Sequence, residues 1–112
     1  MAAKDAGADD RALKPMWILR SADDDALTFR LPRGTSRTFG RARGADFVLD
    51  AALVSRLHCR LTAGDERLDV EDLASTNGTF VNNKRVEKGH AAAGDRLRIG
   101  RVELQIEQQA DD

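Results

Sequence analysis

Short runs in which apolar and polar residues alternate, separated every few positions by glycine, asparagine, aspartate or proline, constrain this chain more than any other feature. Leu27, Phe29 and Leu31 alternate with Thr28 and Arg30, the period-two spacing that turns one face of a strand toward a core. Met16 to Leu19 is a short apolar run. Strand-like segments recur at Arg37 to Arg41, Phe47 to Leu49, Leu57 to Leu61, Arg67 to Glu71, Thr79 to Val81, a short piece near Arg85, Arg96 to Ile99 and Val102 to Glu107. Asp23 to Asp25, then Pro32 and Gly34, then Asn82 and Asn83 mark reversals between them. No stretch carries convincing helical periodicity. Many short strands joined by turn formers predict an all-β domain, either a sandwich or a barrel.

Composition sets the bounds on function. At 112 residues, of which 25 are Leu, Ile, Val or Phe, the chain can close one core without disulfides or metal. The single cysteine, Cys59, has no internal partner, and no apolar run is long enough for a signal peptide core or a membrane span, so a cytoplasmic protein is expected. Alanine, arginine and aspartate are abundant, which is associated with GC-rich bacterial genomes. With 18 basic and 19 acidic residues there is no global field to hold nucleic acid, so any anion site must be local. Charge is nonetheless segregated. Arg33, Arg37, Arg41 and Arg43 fall within eleven residues that contain no acid, whereas Asp65, Glu66, Asp69, Glu71 and Asp72 gather elsewhere. Two histidines and one cysteine do not make a tetrahedral metal site, so no metal is expected.

The stretch Ser75 to Asn82 runs from a turn into a strand. Thr76 and Asn77 can bond neighbouring backbone, Gly78 supplies a positive φ, and Thr79, Phe80 and Val81 favour an extended chain. Alone it reads as a plain hairpin loop. Phe39-Gly40-Arg41 and Ser55-Arg56-Leu57-His58 change that reading when all three are taken together. Gly-Arg, Ser-Arg-x-His and Ser-Thr-Asn-Gly-Thr, in this order from about Met16 to Ile106, resemble the forkhead-associated (FHA) domain. That family binds phosphothreonine peptides.

The resemblance implies a two-sheet β-sandwich of about eleven strands with its binding loops at one end. It implies that Arg41 is the principal cation for the phosphate, Ser55 a hydroxyl donor and Arg56 a second cation. Thr76 is then expected at the phosphate or the γ-methyl, and Asn77 as a clamp on the peptide backbone. Gly40, His58 and Gly78 support the site without touching ligand. Arg37 and Arg43 are read as solvated strand-edge charges and left out of the site. Cys59 is a small core filler. Asn82-Asn83 stands where the family commonly has Asn-Gly, and asparagine tolerates the left-handed region, so the hairpin is expected to survive. Ala91, Ala92 and Ala93 stand where a bulkier apolar residue is usual, which predicts looser packing.

The expected organisation is a flexible N-terminal tail over residues 1–14, an FHA-like domain over 15–107 and a C-terminal tail over 108–112. Neither tail contains serine or threonine, so neither supplies a phosphorylated segment to its own site. The expected partner is a phosphothreonine-containing protein, with a Ser/Thr kinase upstream and no cofactor. A phosphate-independent scaffold or oligomerisation domain of the same fold is the alternative. An enzyme built on Ser55 and His58 ranks last, because no acidic partner for His58 is identifiable in the sequence.

Overall fold

The computed structural model describes residues 15–21 and 27–110. The tail assigned to residues 1–14 and the acidic turn at Asp23 to Asp25 lie outside the described residues. Eleven strands follow in order: β1 (Pro15–Ser21), β2 (Thr28–Pro32), β3 (Ser36–Gly40), β4 (Phe47–Val48), β5 (Cys59–Ala63), β6 (Leu68–Asp72), β7 (Thr79–Val81), β8 (Lys84–Val86), β9 (Lys88–Ala91), β10 (Arg96–Ile99) and β11 (Val102–Ala110). One sheet has the order β2-β1-β11-β10-β7-β8 and the other β4-β3-β5-β6-β9. All pairs are antiparallel except β3 with β4. The fold is the two-sheet sandwich.

Alternation fixes which residues meet between the sheets. Trp17 and Leu19 of β1, Leu31 of β2, Leu97 and Ile99 of β10 and Leu104 and Ile106 of β11 face Phe39, Cys59, Leu61, Leu68 and Val70 of the second sheet in one buried cluster. Each large apolar side chain withdrawn from water contributes about 1.5–3 kcal/mol, so this cluster is the main source of stability. Phe29, Phe39 and Phe47 form a ring trio with centroids 5.0 to 5.2 Å apart, tying β2 to the β3–β4 pair across the sandwich. Trp17 donates its indole N–H to Gly64 O at 2.8 Å, a second tie between the sheets.

Three elements differ from expectation. β9 is absent from the alternation pattern because Gly89 and His90 carry no apolar signal; β6 defines it, pairing Val70 with Gly89 and Asp69 with His90. Leu57 lies outside β5 and is 47% exposed, instead of starting the strand-like segment expected from Leu57 to Leu61. The close approach of Gly40 to the backbone of Arg56 and Leu57 turns the chain before the strand begins. The C-terminal tail expected from residue 108 is instead sheet as far as Ala110, because Met16 and Trp17 of β1 pair with Gln109 and Gln108.

Two late turns settle smaller questions. Asn82 and Asn83 adopt φ of 50° and 70°, so the β7–β8 hairpin forms with two left-handed asparagines as expected. The Asn82 side chain also accepts the Arg96 N–H at 3.0 Å, which extends the pairing of β7 with β10. Of the three alanines, Ala91 is buried opposite Leu68. Ala92 and Ala93 are exposed in the turn, where a larger side chain has nothing to fill.

Candidate functional site

Loops 41–46, 49–58 and 73–78 converge at one end of the sandwich, and Gly40 sets how closely they do so. A Cβ at Gly40 would lie 2.0 Å from the Arg56 carbonyl oxygen and 2.9 Å from Leu57 Cα, so only glycine admits this approach. Immediately beyond it the Arg41 N–H donates to Ser55 O at 2.9 Å and the Ala42 N–H to Arg56 O at 3.1 Å. These bonds hold residues 41–42 alongside 55–56. The Arg41 side chain is then oriented by its own Nε–H, which donates to Val54 O at 3.0 Å. Its two terminal amino groups have no protein partner among the described residues. The fork is fixed at its root and free at its tip.

Ser55 connects this strand end to the next loop. Its Oγ accepts the Thr76 N–H at 3.0 Å, so the serine hydroxyl proton is available to a ligand. His58 is fully buried below it. The Ser55 N–H donates to His58 Nδ1 at 3.0 Å, which requires that nitrogen to be unprotonated; the proton therefore sits on Nε2, which donates to Gly78 O at 2.8 Å. One neutral imidazole thus bridges loop 49–58 and loop 73–78. Gly78 itself has φ +94°, and a Cβ there would meet Arg85 Nε at 2.9 Å.

Asp72, at the end of β6, shapes loop 73–78. Ser75 donates to it twice, from N–H at 3.0 Å and from Oγ at 2.5 Å, and Thr79 Oγ1 donates at 2.7 Å. Ser75 Oγ also accepts the Gly78 N–H at 2.9 Å, which closes the turn. Burial pushes the Asp72 carboxyl upward. The hydrogen bonds from Ser75 and Thr79 outweigh it and hold the carboxyl below the usual carboxylate range. Because the folded group ionises more readily than the unfolded one, whose ordinary value is 3.8, its stabilising contribution is complete above that value and is lost as pH falls through the lower folded value. Asp72→Asn, which presents an amide where three donors converge, is expected to cost about 2 kcal/mol at pH 7 and distinctly less near pH 3, below the ordinary value of 3.8 at which the unfolded carboxyl takes up its proton. Thermal melts of both proteins at the two pH values test this.

Asn77 is exposed and donates Nδ2 to Leu53 O at 3.0 Å. Leu53 is a left-handed residue at φ 73°, a conformation that costs a branched side chain about 1–2 kcal/mol. Its carbonyl is held by Asn77 and packs so closely on Gly100 that a Cβ there would come within 2.5 Å. Thr76 exposes its side chain beside Ser55.

The residues of the sequence-based list are brought together at this end. Arg41, Ala42, Arg43 and Arg56 line a cleft of about 280 Å³. Arg43 is exposed, as expected of a solvated charge, and lines the same cleft as the other two cations. The signal was its spacing of two from Arg41 in a tight turn, which the Ala45 N–H closes onto Ala42 O at 3.1 Å. Arg33 and Arg37 lie elsewhere: Arg33 pairs with Asp65 at 2.9 Å, and Arg37 donates to Ser36 O at 3.0 Å. Asp72 is the residue that sequence reasoning assigned only to a general acidic region. Its place three residues before Ser75 and seven before Thr79 carried the signal for a side-chain-closed turn. Burial first, and the Asp72 charge second, push the Cys59 thiol up to about 12, so it stays protonated. Among the described residues no group of three or more His, Cys, Asp or Glu is arranged to hold a metal ion, and no helix is long and apolar enough to cross a membrane.

The sequence profile of the FHA domain matches residues 37–100, which include all three loops with Arg41, Ser55, Arg56, His58, Asp72, Thr76 and Asn77. The chain belongs to the FHA family. Among its relatives is the ABC transporter ATP-binding/permease protein Rv1747 of Mycobacterium tuberculosis, 38% identical over 97 residues, which are 87% of this chain and 11% of that protein. The oxoglutarate dehydrogenase inhibitor of Corynebacterium diphtheriae is 33% identical over 89 residues, 80% of this chain and 62% of the inhibitor. This FHA chain therefore spans less than two thirds of the length of either relative. A solved FHA domain from work on phosphothreonine-dependent FHA interactions superposes with a TM-score of 0.71 at 34% identity, covering 84% of this chain and 95% of the other.

Proposed function

We propose that this FHA domain is a phosphothreonine reader that binds a phosphorylated segment of a partner protein across loops 41–46, 49–58 and 73–78. The observation that carries the reading is the pre-organised donor set. Arg41 is anchored through Nε on Val54 O with its terminal amino groups unengaged, and beside it Ser55 keeps its hydroxyl proton free. A phosphate monoester presents three acceptor oxygens and about −1.5 to −2 charges, which such donors match. Arginine suits the role because its planar fork donates two parallel charge-assisted bonds. Arg56 supplies a second cation, Thr76 a neighbouring hydroxyl and methyl, and Asn77 a side-chain carbonyl for a peptide N–H. Gly40, His58 and Gly78 hold the loops at the required separation.

The domain acts by binding, without a chemical step. Both ring nitrogens of His58 are occupied by backbone, so the imidazole cannot take a proton from the Ser55 hydroxyl, and Cys59 is protonated and buried. Its cargo is made by a Ser/Thr kinase, and a buried free thiol suits a reducing cytoplasm.

Calorimetric titration with matched phosphothreonine, phosphoserine and unphosphorylated peptides tests the proposal. Binding is expected for the first, weaker binding by roughly fourfold for the second, since one buried methyl contributes about 0.8 kcal/mol, and none for the third. Equal binding of the unphosphorylated peptide would show a phosphate-independent interaction domain.

A further inference from the structure

Asn77 is followed by Gly78, the single Asn-Gly pair in a chain whose other asparagines, Asn82 and Asn83, precede Asn83 and Lys84. This pairing carries a reactivity of its own. A glycine has no side chain to shield its nitrogen, which can therefore reach the carboxamide of the residue before it. The Gly78 nitrogen bonds to Asn77 Cγ, the Cγ–Nδ2 bond breaks, and ammonia leaves with the proton that the nitrogen gave up. Water then opens the five-membered imide at one carbonyl or the other, giving aspartate or an isoaspartate whose main chain runs through Cβ. Water is the sole co-reactant. In the fold both reacting groups are held. Gly78 is buried, its N–H donates to Ser75 Oγ at 2.9 Å and its carbonyl accepts from His58 Nε2 at 2.8 Å, so the nucleophilic peptide unit is fixed at both ends. The leaving group is tied as well, because Asn77 Nδ2 donates to Leu53 O at 3.0 Å. Ser75 Oγ donates in turn to Asp72, whose carboxyl, held below the usual range, is too weak a base to draw an amide proton through it.

We infer that Asn77-Gly78 is a latent self-modification site, kept closed by the same bonds that build loop 73–78, and that its conversion turns the domain off. Conversion proceeds from molecules in which this loop has opened, so its rate follows the open population. The product damages the site in two ways. A carboxylate at position 77 sets acceptor against acceptor at Leu53 O, in place of the Nδ2 donor, and releases a residue held at φ 73°. It also adds a negative charge beside an anionic ligand, and the isoaspartate form lengthens the main chain next to the Gly78 carbonyl that His58 holds. The chemistry is independent of the phosphothreonine reading, and the consequence for binding rests on it. A bound peptide clamped by Asn77 opposes opening, so occupied domains convert more slowly than empty ones.

The test incubates the whole chain in mildly alkaline buffer and follows the replacement of carboxamide by carboxylate at each asparagine by mass spectrometry of proteolytic peptides. Native protein is expected to convert Asn77 about 100-fold more slowly than the chain unfolded in guanidinium chloride, the product of about tenfold for each of the two bonds. Asn82 and Asn83 are expected to lag well behind Asn77 in the unfolded chain. Ser75→Ala is expected to raise the native rate about tenfold, and a saturating phosphothreonine peptide to lower the rate of the parent. The parent in sub-denaturing guanidinium chloride, where the open population grows, gives the same acceleration without a substitution. Asn77→Asp, and converted protein isolated by ion exchange, are expected to bind a phosphothreonine peptide about tenfold or more weakly than the parent. Equal rates in the native and unfolded chain overturn the proposal, as does an Asn77 that stays intact when unfolded. Undiminished affinity after conversion overturns its role as an off-switch. Failure of the unconverted protein to bind any phosphothreonine peptide instead overturns the reading of the primary site, while the rates still decide the modification.

Discussion

Arg41→Ala is expected to lower affinity for a phosphothreonine peptide by about 100-fold. The fork at the tip of Arg41 is free to make two charge-assisted bonds to phosphate oxygens; at roughly 1.5 kcal/mol each, the low end suited to an exposed site, their loss totals about 3 kcal/mol. The structure adds a cost that the sequence did not show. Arg41 Nε–H satisfies Val54 O, so the variant should also lose about 1 kcal/mol of stability and melt several degrees lower. Arg41→Lys separates the two effects. It keeps the charge, but a lysine cannot anchor on Val54 O and present a planar fork at once, so it should recover little of the affinity. Titration and differential scanning calorimetry on the same samples provide both readouts. Unchanged binding by Arg41→Ala in protein that folds would remove Arg41 from the site.

What the sequence disclosed and what it withheld divide along a physical line. Alternation in β2, β10 and β11 was legible because each of these strands buries one face, and period two survives in the residue types, while β1, with Trp17, Ile18 and Leu19 all buried, was legible as a short apolar run. β9 was not, because a strand containing Gly89 and His90 exists through the backbone of β6 and buries little of its own. The loops followed the same division. Gly40, Arg41, Ser55, His58, Asn77 and Gly78 were readable from type, spacing and family resemblance. The bonding that makes them one unit was not, since Ser55 Oγ to Thr76 N–H and His58 to Gly78 O join residues 20 or 21 positions apart. Asp72 was lost among neighbouring acids because its role depends on direction, with one carboxylate turned in to Ser75 and Thr79 while Asp69 and Glu71 face Arg67 and Arg60. The place of Arg43 was hidden for the opposite reason. Most arginines are simply solvated, and only the turn at Ala42 to Ala45 shows that this one shares a cleft with Arg41.

Gly40→Ala should have the largest effect on the molecule as a whole, since it strikes both the fold and the site. The added Cβ would lie 2.0 Å from the Arg56 carbonyl oxygen, and backbone, not a flexible side-chain tip, stands in the way. Relief requires β3 and loop 49–58 to separate by about 1 Å or more, the scale of overpacking that costs about 3 kcal/mol and occasionally more. Four backbone bonds lie across that seam: Arg41 N–H to Ser55 O, Ala42 N–H to Arg56 O, His58 N–H to Phe39 O and Leu49 N–H to Gly40 O. The same movement displaces Val54 O from Arg41 Nε, so the guanidinium loses its anchor and Ser55 its position relative to it. The expected outcome is a melting temperature lower by about 10 °C or more and no measurable phosphopeptide affinity even at temperatures where the variant is folded. Gly44→Ala, two residues beyond the Ala42 turn position and with open space around its would-be Cβ, supplies the control: it should melt and bind like the parent. If Gly40→Ala binds normally, the seam between β3 and loop 49–58 does not set the geometry of the donor set, and the orientation of Arg41 must come from the side-chain bond to Val54 alone.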